Sequence, residues 1–310
     1  MIKRTLYFGN PTYLSLSQNQ MVVRLPEVEK NEELPQHIKS DAKRSMAIED
    51  LGVVILDHQQ ITITQSLMDA LLENNVALIT CDSTHHPTGL LLPLAGNTLQ
   101  SERFREQIDA SQPLKKNLWQ QTVQVKIKNQ ASVLRRMGVP VDNMMHWSAS
   151  VRSGDPDNFE ARAAAYYWKN IFPPEIEFFR ERAGFPPNNL LNYGYAILRA
   201  IVARGLVGSG LLPTLGIHHR SKYNAYCLAD DIMEPYRPFV DQVVKEIVHS
   251  GSAYGELDKA LKQQLLSIPT MDVWIEGDRS PLMVGLQRTT SSLVKCFSGD
   301  SRKILYPEFQ

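Results

Sequence analysis

The stretch Leu211–Pro238, LLPTLGIHHRSKYNAYCLADDIMEPYRP, decides how the rest of the chain is interpreted. Pro213 and Gly216 interrupt regular structure ahead of the paired histidines His218 and His219. A helical pattern begins near residue 226 and carries three carboxylates, those of Asp230, Asp231 and Glu234. Two loop histidines and three helical carboxylates therefore fall within one short segment.

The spacing of these carboxylates predicts a charged cluster. Asp230 and Glu234 are four residues apart and Asp231 and Glu234 are three apart, so Glu234 can share a helix face with either. Carboxylates on one face repel one another unless a cation lies among them. With a histidine from the preceding loop, they suit a metal that accepts nitrogen and oxygen ligands, such as Mn²⁺ or Mg²⁺. A structural interpretation stays open, because acidic residues also favour the first turn of a helix.

Composition bounds the fold and the class of protein. The 310 residues, 43% hydrophobic and 21% charged, indicate an ordinary globular protein with two domains. Strand patterns dominate the first third, including a strand over 5–8 and a hairpin over 13–25 that turns near Asn19. Helical patterns follow. We therefore predict an α+β protein, with a small β-rich N-terminal domain (1–95) and a larger all-α C-terminal domain (96–310).

Charge and cysteine usage exclude several classes. The formal net charge is zero, so nucleic-acid binding would require a local basic patch rather than a global field. The three cysteines form no CxxC pair, which argues against a disulfide framework or a zinc ribbon and predicts a cytoplasmic protein. The N-terminus lacks the apolar core of a signal peptide. The sequence contains no run of eighteen apolar residues, so we expect no membrane span.

A candidate basic patch lies between Asp109 and Asp142, where no acidic residue occurs. An apolar stripe at near-helical spacing runs through Trp119, Val123, Ile127 and Leu134. Basic residues accompany it, namely Lys115, Lys116, Lys126, Lys128, Arg135 and Arg136. Such a helix could follow a phosphate backbone, and a solvated charged face explains the pattern equally well.

Two further helices complete the pattern. Phe159–Trp168, FEARAAAYYW, carries Glu160, and Asp157 precedes that glutamate at the spacing of a capping box. The segment 189–207 predicts a buried helix in which Gly194 allows close packing. Neither a phosphate-binding loop with its lysine nor a GxSxG nucleophile motif occurs in the sequence.

Three motifs together resemble one family. NFEARAAAYYW around Glu160, LLNYGYAILRA from Leu190 and the opening stretch resemble, in this order, the CRISPR-associated adaptation integrases and endonucleases ("Cas-one", Cas1). The doubled histidine and the ADDIMEP sequence most resemble the branch found in type II CRISPR systems. The resemblance extends over the whole chain and is most specific from Glu160 to Pro238.

The resemblance implies a Mg²⁺ or Mn²⁺ site made by Glu160, His219 and Glu234. The family histidine follows a glycine and two variable residues, which matches His219 here. His218 stands at a position that is usually apolar, so an exchange of roles stays open. Asp231 is a rival acidic ligand, and Asp230 a neighbouring support.

The resemblance also implies the reaction and its partners. The family inserts short captured DNA duplexes into a CRISPR repeat by attack of a 3′-hydroxyl on a phosphodiester, as part of antiviral defence. Candidate contacts to double-stranded DNA are Arg220, Lys222, Arg237 and the six basic residues between 115 and 136. The N-terminal domain is expected to form a homodimer, and two dimers to be bridged by the companion protein "Cas-two" (Cas2) in a heterohexamer.

Two other hypotheses use the same residues. The cluster could belong to a metal-dependent phosphohydrolase that acts on small substrates, which would not need the basic helix. Alternatively, the charged groups are surface ion pairs of a non-enzymatic DNA-binding scaffold. Loss of strand transfer on changing Glu160 separates the integrase from both.

Overall fold

The computed structural model describes residues 3–31, 35 and 43–309. The chain divides into two compact units, Met1–Gly96 and Asn97–Gln310. The first is rich in strands and the second in helices, which confirms the predicted α+β class.

The first unit contains two four-stranded sheets. Its elements are β1 (Arg4–Phe8), β2 (Thr12–Ser17), β3 (Gln20–Arg24), α1 (Pro26–Lys30), β4 (Arg44–Ala47), β5 (Leu51–Leu56), β6 (Ile61–Ile63), α2 (Gln65–Glu73), β7 (Ala77–Cys81) and β8 (Pro87–Leu91). One sheet has the order β1-β5-β7-β8, with β8 antiparallel to β7 and the other pairs parallel; the other has the order β4-β3-β2-β6.

The predicted hairpin is confirmed as β2 and β3. Tyr13 pairs with Arg24 and Ser17 with Gln20, so the turn consists of two residues, Gln18 and Asn19. Both have positive φ, 49° and 57°, which is the backbone conformation that matches the twist of a two-residue hairpin. Leu14 and Met21 then point into an apolar core shared with α2.

The second unit is built mainly from helices. Its elements are α3 (Gln100–Asp109), α4 (Gln112–Arg135), α5 (Asp142–Ser150), α6 (Phe159–Asn170), α7 (Asn188–Gly208), α8 (Cys227–Met233), α9 (Arg237–His249), α10 (Lys259–Leu265), β9 (Asp272–Ile275), β10 (Asp278–Pro281) and α11 (Leu282–Ser298). The antiparallel pair of β9 and β10 corrects the prediction that this region is all helical. A single 3₁₀ turn, Glu234–Tyr236, joins α8 to α9.

The long helices α4 and α7 form the centre of this unit. The stripe Trp119, Val123, Ile127 and Leu134 of α4 is buried, as its spacing predicts. Among the described residues α7 alone is long and apolar enough to cross a membrane by length and composition, but 72% of that stretch is buried inside the protein. It is therefore a core helix.

Candidate functional site

Glu160 lies in the first turn of α6, whose start is held by Asp155 rather than by the predicted capping box. The Asp155 carboxylate accepts hydrogen bonds from the backbone N–H groups of Phe159 and Glu160, both at 3.0 Å. Asp157 pairs instead with the guanidinium of Arg152 at 2.9 Å. The Glu160 side chain is therefore not used as a cap, and it binds another partner.

Asp231 shapes the loop that carries the two histidines. Its Oδ2 accepts hydrogen bonds from the backbone N–H groups of Ile217 at 2.7 Å and His218 at 2.9 Å. Its Oδ1 accepts from the backbone N–H of His219 at 3.1 Å and lies 2.5 Å from Nδ1 of the same residue. Gly216 is required because a Cβ there would lie 2.7 Å from Asp231 Oδ2 and collide with the His219 carbonyl. The loop thus folds around one fully buried carboxylate.

This contact fixes the tautomer of His219. An ionised carboxylate only accepts hydrogen bonds, so Nδ1 of His219 carries the proton that it donates to Asp231. In the neutral ring Nε2 then keeps its lone pair, which can ligate a metal or take up a proton. Asp231 accordingly supports His219 from within the protein.

His218 has a different environment. Its ring stacks on the buried indole of Trp119, with centroids 4.0 Å apart and planes 4° from parallel. Burial lowers the pKa of His218, against the opposing effect of the Asp231 and Glu160 carboxylates. The stack fixes His218 against α4, so the two histidines have distinct roles in the loop.

Lys126 bridges the two glutamates. Its Nζ lies 2.6 Å from Glu160 Oε1 and 2.6 Å from Glu234 Oε2. Glu234 also accepts a hydrogen bond from Arg237 Nε at 2.8 Å. The carboxylates of Glu160 and Glu234, which come from separate elements, therefore converge on one positive charge.

The charges of this cluster stabilise one another. Burial alone would raise the pKa of Glu234, but the Arg237 guanidinium and the Lys126 ammonium lower it to about 2. Burial likewise opposes the charge of Lys126, yet the Glu234 and Glu160 carboxylates raise its pKa. The hydrogen bond to Asp231 raises the pKa of His219, and the Glu234 carboxylate adds to this effect. Glu234 and Lys126 are therefore both ionised at neutral pH.

Asp230 makes its hydrogen bonds to residues outside this cluster. Its oxygens accept hydrogen bonds from Arg199 at 2.7 and 3.2 Å and from the Asn224 side chain at 2.7 Å. Arg199 lies on α7, so Asp230 ties α8 to the core helix of the unit. Although Asp230 is next to Asp231 in the sequence, it does not bind the histidine loop as Asp231 does.

In the described part of the chain, no three His, Cys, Asp or Glu side chains approach closely enough to form a metal-binding group. What the structure brings together is a pair of carboxylates on one cation, with His219 electrostatically coupled to Glu234 and His218 to Glu160. Mg²⁺ and Mn²⁺ accept such donors, namely the two carboxylates that now face the Lys126 ammonium and a histidine whose Nε2 is available.

The basic candidates for DNA contact separate into two groups. Lys126 and Arg237 are engaged in the ion pairs just described, so they donate to carboxylates in this structure, and phosphate contact by either stays a prediction. Most of the others are exposed, namely Lys116, Lys128, Arg135, Arg136, Arg220 and Lys222, while Lys115 is half-buried. The exposed set carries the positive charge that a phosphate backbone could meet.

Comparisons with known proteins identify a family. Residues 6–267 match the family model described as CRISPR associated protein Cas1. A CRISPR-associated endonuclease Cas1 of Neisseria meningitidis serogroup C (strain 8013) is 35% identical over 294 residues, which is 94% of this chain and 91% of that protein. The resemblance seen in the sequence is thereby confirmed.

Solved structures share the fold. A casposase bound to integration product superposes with a TM-score of 0.75 at 17% sequence identity, covering 98% of this chain and 92% of the other. A chain of a Cas6-RT-Cas1–Cas2 complex gives a TM-score of 0.71 at 20% identity and covers all of this chain and 36% of the other. At these identities the likeness extends to the fold alone.

Proposed function

Because the chain belongs to the CRISPR-associated Cas1 family, we propose that it is a metal-dependent DNA endonuclease and integrase of CRISPR adaptation. In this role it inserts short captured DNA duplexes into the repeat array by attack of a 3′-hydroxyl on a phosphodiester. The endonuclease name of the Neisseria relative and the fold shared with a casposase support the proposal.

One observation carries it: the carboxylates of Glu160 and Glu234 converge on the ammonium group of Lys126. Glu234 also acts electrostatically on His219, the histidine whose tautomer is fixed by Asp231. These are the residue types that phosphodiester transfer needs, because charge develops on the nonbridging oxygens and a cation must offset it. A set of surface ion pairs, as in the scaffold hypothesis, would not require the buried Asp231 or the loop folded around it.

Glu160, His219 and Glu234 would hold Mg²⁺ or Mn²⁺, with Asp231 and Asp230 outside the ligand set because each is fully engaged by other donors. A bound divalent ion supplies Lewis-acid stabilisation of the phosphoryl oxygens and orients the attacking hydroxyl. His219 ligates through Nε2 or accepts a proton there. Asp231 keeps the ring in the tautomer that allows either role.

Nucleic acid and protein partners follow from the same proposal. The exposed basic residues of α4, together with Arg220 and Lys222, contact the backbone of the captured duplex or of the repeat. The N-terminal unit forms a homodimer, and Cas2 bridges two dimers. This assembly is supported by the fold shared with a chain of the Cas6-RT-Cas1–Cas2 complex and by the resemblance to type II sequences. It would act in the cytoplasm.

Strand transfer tests the proposal. The purified protein and its Cas2 would be mixed with a labelled duplex bearing free 3′-hydroxyls and a supercoiled plasmid that carries the repeat, in Mn²⁺, in Mg²⁺ or in EDTA. Glu160→Ala, His219→Ala and Glu234→Ala should each lower label transfer at least 100-fold, on the order of the effects seen when metal-site groups are removed. Asp157→Ala is the matched control, because this half-buried carboxylate near Glu160 pairs with Arg152.

Each alternative has its own outcome. Transfer that persists in all three alanine variants, or in EDTA, contradicts the assignment of the site. Hydrolysis of small phosphate esters without any action on DNA would favour the phosphohydrolase. DNA binding that neither metal nor Glu160 affects, with no transfer, would favour the scaffold.

A further inference from the structure

Lys126 lies at a buried position, where burial destabilises its positive charge. The residue is 8% exposed, although lysine is rarely buried unless it is paired. Its neighbours along α4, Trp119, Val123 and Ile127, are apolar core residues, so the helix directs the lysine inward with them. The ammonium then meets both glutamates at 2.6 Å.

The charges at this point already balance. Glu160 and Glu234 contribute two negative charges, and Lys126 and Arg237 contribute two positive charges within the same set of ion pairs. A divalent cation that joined the carboxylates would leave the four side chains and the ion with a net charge of +2. Such an excess is unfavourable at a site where Lys126 and Glu234 are buried. The arrival of an anion would relieve it, and each DNA phosphodiester carries one negative charge.

We propose that Lys126 is a built-in counter-ion that holds Glu160 and Glu234 together, competes with the divalent ion for them, and so makes metal binding depend on a phosphodiester. This inference rests on the proposed function and deepens it, since it concerns the regulation of the same site. Lys126 is a positioning residue: it acts through the two glutamates and touches no substrate. The site would then bind its divalent ion tightly only when nucleic acid is present.

The competition has a direct measure in metal affinity. Mn²⁺ binding would be followed by electron paramagnetic resonance and calorimetry for the wild type, Lys126→Met and Lys169→Met, with and without a short duplex whose 3′ ends lack hydroxyls. Lys169 is exposed on α6, the helix that carries Glu160, and is not among the candidate DNA contacts, so it serves as the matched control. The wild type should bind Mn²⁺ at least tenfold more tightly with the duplex than without it. By linkage, Mn²⁺ should tighten duplex binding by the same factor.

The variants should separate competition from a purely structural role. Lys126→Met should bind Mn²⁺ at least tenfold more tightly than the wild type in the absence of DNA, and the effect of the duplex should shrink accordingly. Lys169→Met should behave as the wild type. If Lys126→Met binds Mn²⁺ no better than a wild type that does bind it, the inference is overturned while the proposed function stands. If neither protein binds Mn²⁺ even with DNA, the proposed metal site itself fails.

Stability gives a second measurement in case the methionine variant folds poorly. Without Lys126 the two carboxylates repel each other, so unfolding should occur at lower temperature in EDTA. Under the proposal Mn²⁺ takes over the role of the ammonium, and it should restore the melting temperature of Lys126→Met by more than it raises that of the wild type. A variant that Mn²⁺ does not restore would overturn the inference, because Lys126 would then be required for packing alone.

Discussion

Asp231→Asn is the most informative single change, because it alters one atom in the centre of the histidine loop. The carboxylate accepts hydrogen bonds from three backbone N–H groups, those of Ile217, His218 and His219, and from the His219 ring. The asparagine amide has the same shape but only one accepting oxygen. One pair of donors must therefore face an NH₂ group.

The cost depends on which pair that is. If the NH₂ group faces Ile217 and His218, two buried donors lose their acceptor, at about 1–3 kcal/mol each. If it faces His219, only one backbone donor is lost, since Nδ1 of the ring can give up its proton and accept instead. The second arrangement is cheaper, at about 1–3 kcal/mol. For a unit of this size this corresponds to a fall in melting temperature of roughly 2–12 °C.

The cheaper arrangement also disables the ring. When Nδ1 accepts from the amide, the proton of the neutral ring moves to Nε2, which can then neither ligate a metal nor take up a proton. The corresponding change in a Ser-His-Asp triad lowers kcat about 10⁴-fold through the wrong tautomer. We expect Asp231→Asn to lose about 10–100-fold in strand transfer, the scale of losses when a partner of a metal ligand is changed.

Three measurements test this reasoning: thermal unfolding, strand transfer, and the tautomer of His219 from ¹⁵N chemical shifts. Asp230→Asn is the matched control, because its partners Arg199 and Asn224 lie outside the histidine loop. It should keep the tautomer of His219. An Asp231→Asn protein with unchanged melting temperature and tautomer but without Mn²⁺ binding would refute the reasoning, because Asp231 would then be a metal ligand itself.

Two further predictions follow from the ion pairs and the helix packing. The pKa of Glu234 is lowered from 4.5 to about 2, so its contribution to stability is complete above pH 4.5 and is lost as the pH falls through 2. The melting temperature of the wild type should therefore exceed that of Glu234→Gln at pH 7, and this difference should shrink as the pH falls toward 2; an unchanged difference would contradict the ion pairs. Gly194→Ala would bring a Cβ to 2.5 Å from Val240 Cγ1 where α7 meets α9, at a cost of about 1–3 kcal/mol in chemical denaturation. Gly255→Ala meets nothing within 4 Å and should stay within about 0.5 kcal/mol of the wild type, and equal effects of the two changes would refute the packing argument.

Local patterns in the sequence were sufficient to predict most of the strands and helices and many of the buried core residues. A strand pattern with a turn near Asn19 predicted β2 and β3, and near-helical spacing predicted the buried stripe of α4. The prediction for the start of α6 was wrong in detail. Asp157 has the right spacing for a cap, but Asp155 is the residue that accepts the backbone hydrogen bonds there. Capping depends on the path of the chain before the helix, and here Asn158 adopts a left-handed conformation, with φ 56°. Spacing alone cannot reveal such a conformation.

The electrostatic roles were harder to predict, because they depend on partners that are distant in sequence. Asp230 and Asp231 are adjacent, yet one binds Arg199 and the other folds the histidine loop. For Lys126 a usable signal did exist. It follows Trp119 by seven residues, two helical turns, and so belongs to the buried stripe rather than to its basic flanks. A lysine at a core position predicts buried carboxylate partners, and composition alone had grouped it with the surface lysines.

The same helix therefore has two roles on opposite faces. On the inner face of α4, Trp119 stacks on His218, Lys126 bridges the glutamates, and Asn129 donates hydrogen bonds to the carbonyls of Pro235 at 2.8 Å and Pro307 at 2.9 Å. The histidine loop, the carboxylate pair and the 3₁₀ turn that begins at Glu234 thus all contact this one helix. Its outer face exposes Lys128 and Arg135, which are candidates for phosphate contact. Under the proposed function, a helix that meets phosphate on one side and sets the charge of the site on the other would connect DNA binding to metal binding without any large movement.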